Sequence, residues 1–202
     1  MAEIAGWFTM NGMHIPIMEG QSRAEAAKKY YASKYGKTVA KLSSNATNKL
    51  NEKEKKAIND WVHKDKNIDN ESSQLLTNTI KNKGDVSGKV ELFRNVTSPE
   101  LGIRFSEIRN NPNILIGKEV EARSFLSTSK TVEGAQIFQG VTIKITRVSN
   151  TKGLDISKVS DKKRETEVVF NKGTKYKITK CKLIRDKTGD VMNYDIEAQI
   201  IK

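Results

Sequence analysis

The spacing of apolar residues changes character near residue 85, and that change limits the folds open to this chain. Before it, the spacing is helical. In NEKEKKAINDWVHKDK, Ala57, Ile58, Trp61 and Val62 fall on one helical stripe. NESSQLLTNTIKNKG reads as a second helix, stopped at Gly84. Nearer the start, GQSRAEAAKKYYASKYG offers Ser22 as a helix cap, Glu25 as its capping-box partner and Gly36 as a stop. Asn11-Gly12 suits a tight type I′ hairpin, because both residues tolerate positive φ. After Gly84 a period of two takes over. Val90, Leu92, Arg94 and Val96 alternate, as do Val141, Ile143 and Ile145. SPELGIRF, with Ser98 as cap and Pro99 behind it, predicts a short helix or turn. Tyr194, Ile196, Ala198 and Ile200 hold one face of the last strand. In the strand before it, the apolar phase shifts between Ile178 and Cys181, which predicts a bulge near Thr179. Helices first and strands after predict an α+β fold with a split antiparallel β-core and N-terminal helices. A hairpin-and-helix segment over residues 1–36 and a principal domain over 37–202 are expected.

Composition narrows the chemistry. The 202 residues hold no apolar run near the roughly 20 needed to cross a bilayer, so no membrane partner is expected. MAEIAGWFTM lacks the basic and apolar regions of a signal peptide. A cytoplasmic location, or delivery into a target cell without such a peptide, is therefore expected. One cysteine, Cys181, leaves no internal disulfide and no cysteine metal cluster. With only His14 and His63 besides, no metal is expected. The net charge is +12, and half of it lies between Thr151 and Asp190, where twelve Lys/Arg face six Asp/Glu. That half suits an anionic partner, such as nucleic acid, an acidic protein surface or a phosphate-bearing cofactor, or else an ordinary lysine-rich surface.

Three segments carry possible chemistry. ELFRNVT places Arg94 in mid-strand, where taken alone it reads as exposed rather than paired. SFLSTS brings Ser127, Thr128 and Ser129 to the end of an extended run, where hydroxyls hold backbone or cap the next helix, here KTVEGAQIFQ. In RETEVVF, read as a strand, Glu165 and Glu167 share a face. Two carboxylates there form either a solvated edge or a pair set against developing positive charge. The preceding SKVSDKKRE is a basic loop with Lys158, Lys162, Lys163 and Arg164.

In this order, the three segments resemble the mono-ADP-ribosyltransferase family, in the branch marked by Arg, Ser-Thr-Ser and Glu-x-Glu, the arginine-directed bacterial toxin or phage type. ETEVVFNKGTKYKIT also looks like that family's Glu-x-Glu, apolar strand, glycine turn and next strand. The resemblance implies transfer of ADP-ribose from NAD+, with release of nicotinamide, to a macromolecular acceptor, foremost a protein arginine. It implies that Arg94 holds the phosphate and ribose region of NAD+, a task suited to a guanidinium fork. Asn95 would sit at the nicotinamide amide, where many relatives have glycine. Ser127 would orient the catalytic glutamate, while Thr128 and Ser129 support the strand and turn beside the cofactor. Phe138 would lie against the cofactor, or belong to the core. Glu167 would bond the nicotinamide-ribose hydroxyl and stabilise positive charge on the ribose. Glu165 would orient the acceptor guanidinium and help remove its proton. The loop with Lys162, Lys163 and Arg164 would present the acceptor.

That basic loop fits an acidic surface or nucleic acid better than it fits a cationic arginine. ADP-ribosylation of nucleic acid and hydrolysis of NAD+ therefore stand as alternatives, with a non-enzymatic module for an anionic partner as a fourth. Expected partners are NAD+ and a host protein, with an immunity or antitoxin protein in view, for a monomeric chain. The pair's mutual repulsion is expected to raise the pKa of at least one glutamate.

Overall fold

The structure, a computed structural model, describes residues 4–10, 13–22, 25–26, 49–64, 67–84, 90–135, 140–147 and 151–201. Strands β1 (Ile4–Met10) and β2 (Met13–Met18) form an antiparallel hairpin in which Met10 pairs with Met13. That register leaves a two-residue connection at the Asn11-Gly12 position, as expected, although those two residues lie outside the described ones. The capping box is present: Ser22 N–H donates to Glu25 Oε2 (2.9 Å) and Glu25 N–H to Ser22 Oγ (3.3 Å). Most of the helix expected to follow, with its stop at Gly36 and the boundary at residue 36, lies outside the described residues.

Helices α1 (Glu52–Lys64) and α2 (Asn70–Lys83) are both capped by side chains. Asn51 Oδ1 accepts Glu54 N–H (2.9 Å), Glu54 Oε2 accepts Asn51 N–H (2.8 Å), and Asp69 Oδ1 accepts Ser72 N–H (2.8 Å). A Lys83–Glu54 ion pair (2.6 Å) ties the helices together. Their apolar stripes, including Ile58, Trp61, Leu76 and Ile80, pack on Phe125, Leu154, Ile156 and Val169 as one buried cluster.

The second layer is an eight-stranded sheet. After β3 (Val90–Val96) come two short helices, α3 (Ser98–Leu101) and α4 (Phe105–Asn110). Thr97, one residue ahead of Ser98, takes the position before α3. Then follow β4 (Glu119–Glu121), β5 (Leu126–Ser129), a short helix α5 (Val132–Ala135), β6 (Val141–Arg147), β7 (Gly153–Asp155), β8 (Glu167–Phe170), β9 (Lys175–Arg185) and β10 (Val191–Ile200). Their spatial order is β4-β9-β10-β6-β3-β5-β8-β7. The pairing is antiparallel, as expected, except at one place, where β10 lies parallel to β6. The β9–β10 hairpin joins as a unit with its second strand innermost, and that fixes β10 against β6.

The expected bulge is present. Ile178 pairs with Ala198 and Lys180 with Glu197, so Thr179 has no partner in register. In β8 all four residues are buried: Val168 and Phe170 join the cluster around Leu92, Ile143 and Ile178, while Val169 joins the helical cluster. Burial on both faces is why Val168, Val169 and Phe170 read as a continuous apolar run rather than an alternation.

The split lies between β3 and β5. They pair only at Phe93 and Ser129, whereas β3 and β6 pair along the whole of β3. β3 and β5 part on either side of that point, and a cleft opens there. Ile58 is fully buried among the α1–α2 contacts that roof one side of the molecule. Ile58→Ala is expected to lower the unfolding free energy by about 2–5 kcal/mol, with an unchanged denaturant slope in urea unfolding.

Candidate active site

The cleft at the seam has a volume of about 610 Å³, in the range of small-molecule sites. Arg94, Asn95, Ser127, Thr128, Ser129, Lys162, Glu165 and Glu167 all line it. Segments far apart in the chain are thus brought to one cavity.

Arg94 projects from β3 and is paired rather than exposed, against the reading of its strand alone. Its Nε and Nη2 grip both oxygens of Glu100 on α3 (3.0 and 3.1 Å), and its Nη1 donates to the Ser127 carbonyl across the seam (2.6 Å). The Tyr176 hydroxyl, from β9, donates to Glu100 Oε1 (2.7 Å). Burial, and then the charge of Glu100, push the Tyr176 phenol well above its ordinary pKa, which keeps it a donor. The guanidinium is therefore held at a fixed angle by groups from α3, β5 and β9. Asn95 is buried, and its Oδ1 accepts the Thr142 hydroxyl (2.7 Å).

The three hydroxyls of β5 have separate partners. Ser127 hydrogen-bonds the Glu167 carboxyl. The Thr128 hydroxyl donates to the Val168 carbonyl (2.7 Å), which is ladder support. Ser129 Oγ lies 2.7 Å from Thr166 Oγ1 and accepts Thr131 N–H (3.1 Å). Capping of α5 falls to Thr131 instead, whose Oγ1 accepts Gly134 N–H (3.1 Å).

The two glutamates are not neighbours on one strand. β8 begins at Glu167, while Glu165 ends a 3₁₀ turn over Lys163–Glu165. Thr166 between them has φ 45°, a left-handed backbone that costs a β-branched residue about 1–2 kcal/mol. Both carboxylates nevertheless face the cleft, Glu167 at 4% exposure and Glu165 at 8%. A solvated edge is thereby ruled out.

Burial raises both carboxyls. Glu167 is pushed up to about 7, chiefly by desolvation, with the Ser127 hydrogen bond pulling the other way and the charge of Glu165 a smaller upward push. Glu165 is raised by burial, opposed by Lys162 and His63. Repulsion between the pair is thus the lesser cause for Glu167. The dominant one is removal from water.

Helix α1 supplies much of that removal. Trp61 packs edge-on to Phe125 (5.2 Å between centroids) and turns its indole N–H toward Glu167 Oε1 (3.4 Å). The loop before the glutamates is pinned to the same helix. Lys162 Nζ donates to the Val62 carbonyl (2.8 Å) and lies 3.9 Å from Glu165 Oε1, and His63 Nε2 is 3.2 Å from Asp161 Oδ2. Lys163 and Arg164 point outward and do not line the cleft, which separates them from the Lys162 and Glu165 with which they were grouped. Phe138 lies outside the described residues. Among the described residues no cluster of His, Cys, Asp and Glu is suited to hold a metal ion.

Sequence reasoning missed Glu100, Tyr176, Thr131 and Thr166, and gave Trp61 a place on the apolar helical stripe but no partner. The one available signal was Trp61 itself, since a buried indole N–H needs an acceptor.

The Glu167 carboxyl sets a pH dependence of stability. Its folded pKa of about 7 lies above its ordinary 4.5, so the folded state holds the proton more tightly. Stability contributed by the protonated group is present below about 4.5 and is lost as pH rises to about 7. Glu167→Gln is expected to raise stability at pH 8, by on the order of 3 kcal/mol, with the gain shrinking toward pH 5. Urea unfolding across that range checks it.

A family model described as ADP-ribosyltransferase exoenzyme matches residues 27–202. The fold is similar to that of Plx2a, an ADP-ribosyltransferase toxin from Paenibacillus larvae, at 17% identity over 88% of this chain and 96% of that one, with a TM-score of 0.64. It is similar to C3stau2 from S. aureus, in a structure with NAD, at 17% identity over 90% of this chain and 96% of that one, with a TM-score of 0.61. It is similar also to the enzymatic component C2-I of the C2 toxin from Clostridium botulinum, at 18% identity and a TM-score of 0.63, over all of this chain but 54% of that one. A comparison with curated protein sequences gives no match. The match of the family model across the helices, the sheet and the cleft decides the assignment: this chain belongs to the ADP-ribosyltransferase exoenzyme family, whose ADP-ribose donor is NAD+.

Proposed function

We propose that this chain transfers ADP-ribose from NAD+ to an arginine side chain of a host protein, with release of nicotinamide, as a toxin-type effector. The observation that carries the reading is the pair of buried glutamates lining one cleft with Arg94 and Ser127. Bound NAD+ brings an electrophilic ribose carbon that carries a cationic leaving group.

In this reading Arg94 grips the phosphate and ribose region, and Glu100 and Tyr176 keep its guanidinium aligned. Asn95, Thr128 and Ser129 border the cofactor with it. Glu167 acts as the ionised carboxylate: it accepts a hydrogen bond from the ribose hydroxyl and stabilises positive charge on the ribose ring. Ser127 and Trp61 hold it in place and shut out water, so its charge acts at low dielectric. Glu165 orients the acceptor guanidinium and takes its proton, since a raised pKa suits a general base working near neutral pH.

One observation favours a second acceptor class. The exposed Lys163 and Arg164 stand beside the cleft and would attract phosphate. The experiment separates the two. The purified chain, labelled NAD+ and a host lysate are expected to give label on protein that hydroxylamine releases and nuclease leaves in place. Loss of the label on nuclease treatment would assign nucleic acid instead, and absence of label from a folded sample would remove the transferase reading. Glu167→Gln is expected to lower the rate at least about 100-fold. Because the carboxylate is the working form, kcat/KM should rise with pH through about 7 and then level.

A further inference from the structure

Thr166 is the one non-glycine residue with positive φ among the described residues, and it stands between the two glutamates. A β-branched residue keeps such a backbone only where its surroundings over-determine it. Here they do. The Thr166 hydroxyl lies 2.7 Å from Ser129 Oγ and 3.0 Å from Thr131 Oγ1, and its carbonyl accepts Lys130 N–H (3.0 Å). The two neighbouring hydroxyls are themselves anchored, by Thr131 N–H on Ser129 Oγ and by Gly134 N–H on Thr131 Oγ1. Gly134 packs so closely that a Cβ there would collide with Ser129 Oγ, the Glu165 carbonyl and Thr166 Oγ1.

The consequence is a change of direction. Going backward from β8, the chain leaves the strand at Thr166 and enters the 3₁₀ turn that ends in Glu165. Glu165 therefore takes its place in the cleft from the Thr166 kink, whereas Glu167 takes its own from the strand, Ser127 and Trp61. The two carboxylates have separate supports. We infer that Thr131 and Thr166 are positioning residues which hold Glu165 at the acceptor side of the cleft without setting Glu167. The inference rests on the reading in which Glu165 meets the acceptor.

A test uses the full chain with agmatine as a guanidine probe and measures two rates in each sample: ADP-ribosyl-agmatine formed, and nicotinamide released without agmatine. In Thr131→Val the transfer rate is expected to fall about tenfold or more, with nicotinamide release within about twofold of wild type. Thr131→Ser, which restores the hydroxyl, should recover transfer. Thr166→Gly, which adopts the left-handed backbone freely, should transfer better than Thr166→Val. Equal loss of both rates in Thr131→Val, or no loss in either, overturns the inference. If Thr166→Val does not fold, the Thr131 pair decides alone. Wild-type protein that releases nicotinamide but leaves agmatine unlabelled would instead remove the arginine reading, and this inference with it.

Discussion

Burying a carboxyl away from water costs free energy, and the arrangement around Glu167 exists to sustain that burial. The side chain is 4% exposed, with a Trp61 N–H on one oxygen and a Ser127 hydrogen bond on the same carboxyl. Those two partners come from opposite layers, a helix and a strand. Helix α1 must therefore sit where it does. Its caps at Asn51 and Glu54, its ion pair to Lys83 and its packing on Val169 all serve that placement. In return the carboxylate acts at low dielectric, where its attraction for positive charge is much stronger than in water.

The same site depends on an incomplete sheet. Continuous pairing of β3 with β5 would close the space between Arg94 and the glutamates. A single register pair, Phe93 with Ser129, keeps the sheet in one piece while leaving the cleft open. Arg94 then bridges what the ladder does not, through its bond to the Ser127 carbonyl. Glu100 and Tyr176 extend the bridge to α3 and β9, so the guanidinium has a fixed angle before any ligand arrives. In the proposed role of Arg94, such preorganisation would lower the ordering cost of binding.

Much of this was legible in the sequence, because most elements carry a strong period. The helical stripe at Ala57, Ile58, Trp61 and Val62, the alternation in β6 and β10, and the bulge at Thr179 follow from which residues must face the core. The cleft residues Arg94, Ser127 and Glu167 were found by motif, since their chemistry constrains residue type. Three features escaped. The parallel β10–β6 pair depends on how the terminal hairpin enters the sheet, which no local pattern encodes. The partner of Arg94 escaped because Glu100 reads as an ordinary first-turn acidic residue. The kink at Thr166 escaped because threonine favours strands, and contacts distant in sequence, from Ser129, Lys130 and Thr131, override that preference. The pair's raised pKa was anticipated, but its cause was assigned to repulsion when burial is the larger effect.

The most direct measurement follows the Glu167 side chain itself. A carbon-detected NMR titration of the labelled carboxyl, assigned by comparison with the Glu167→Gln protein, reports its proton affinity in the free enzyme. A midpoint near 7 is the predicted result. A midpoint in the ordinary glutamate range, near 4.5, would contradict the account, because the carboxyl would then be in contact with water rather than buried beside Trp61.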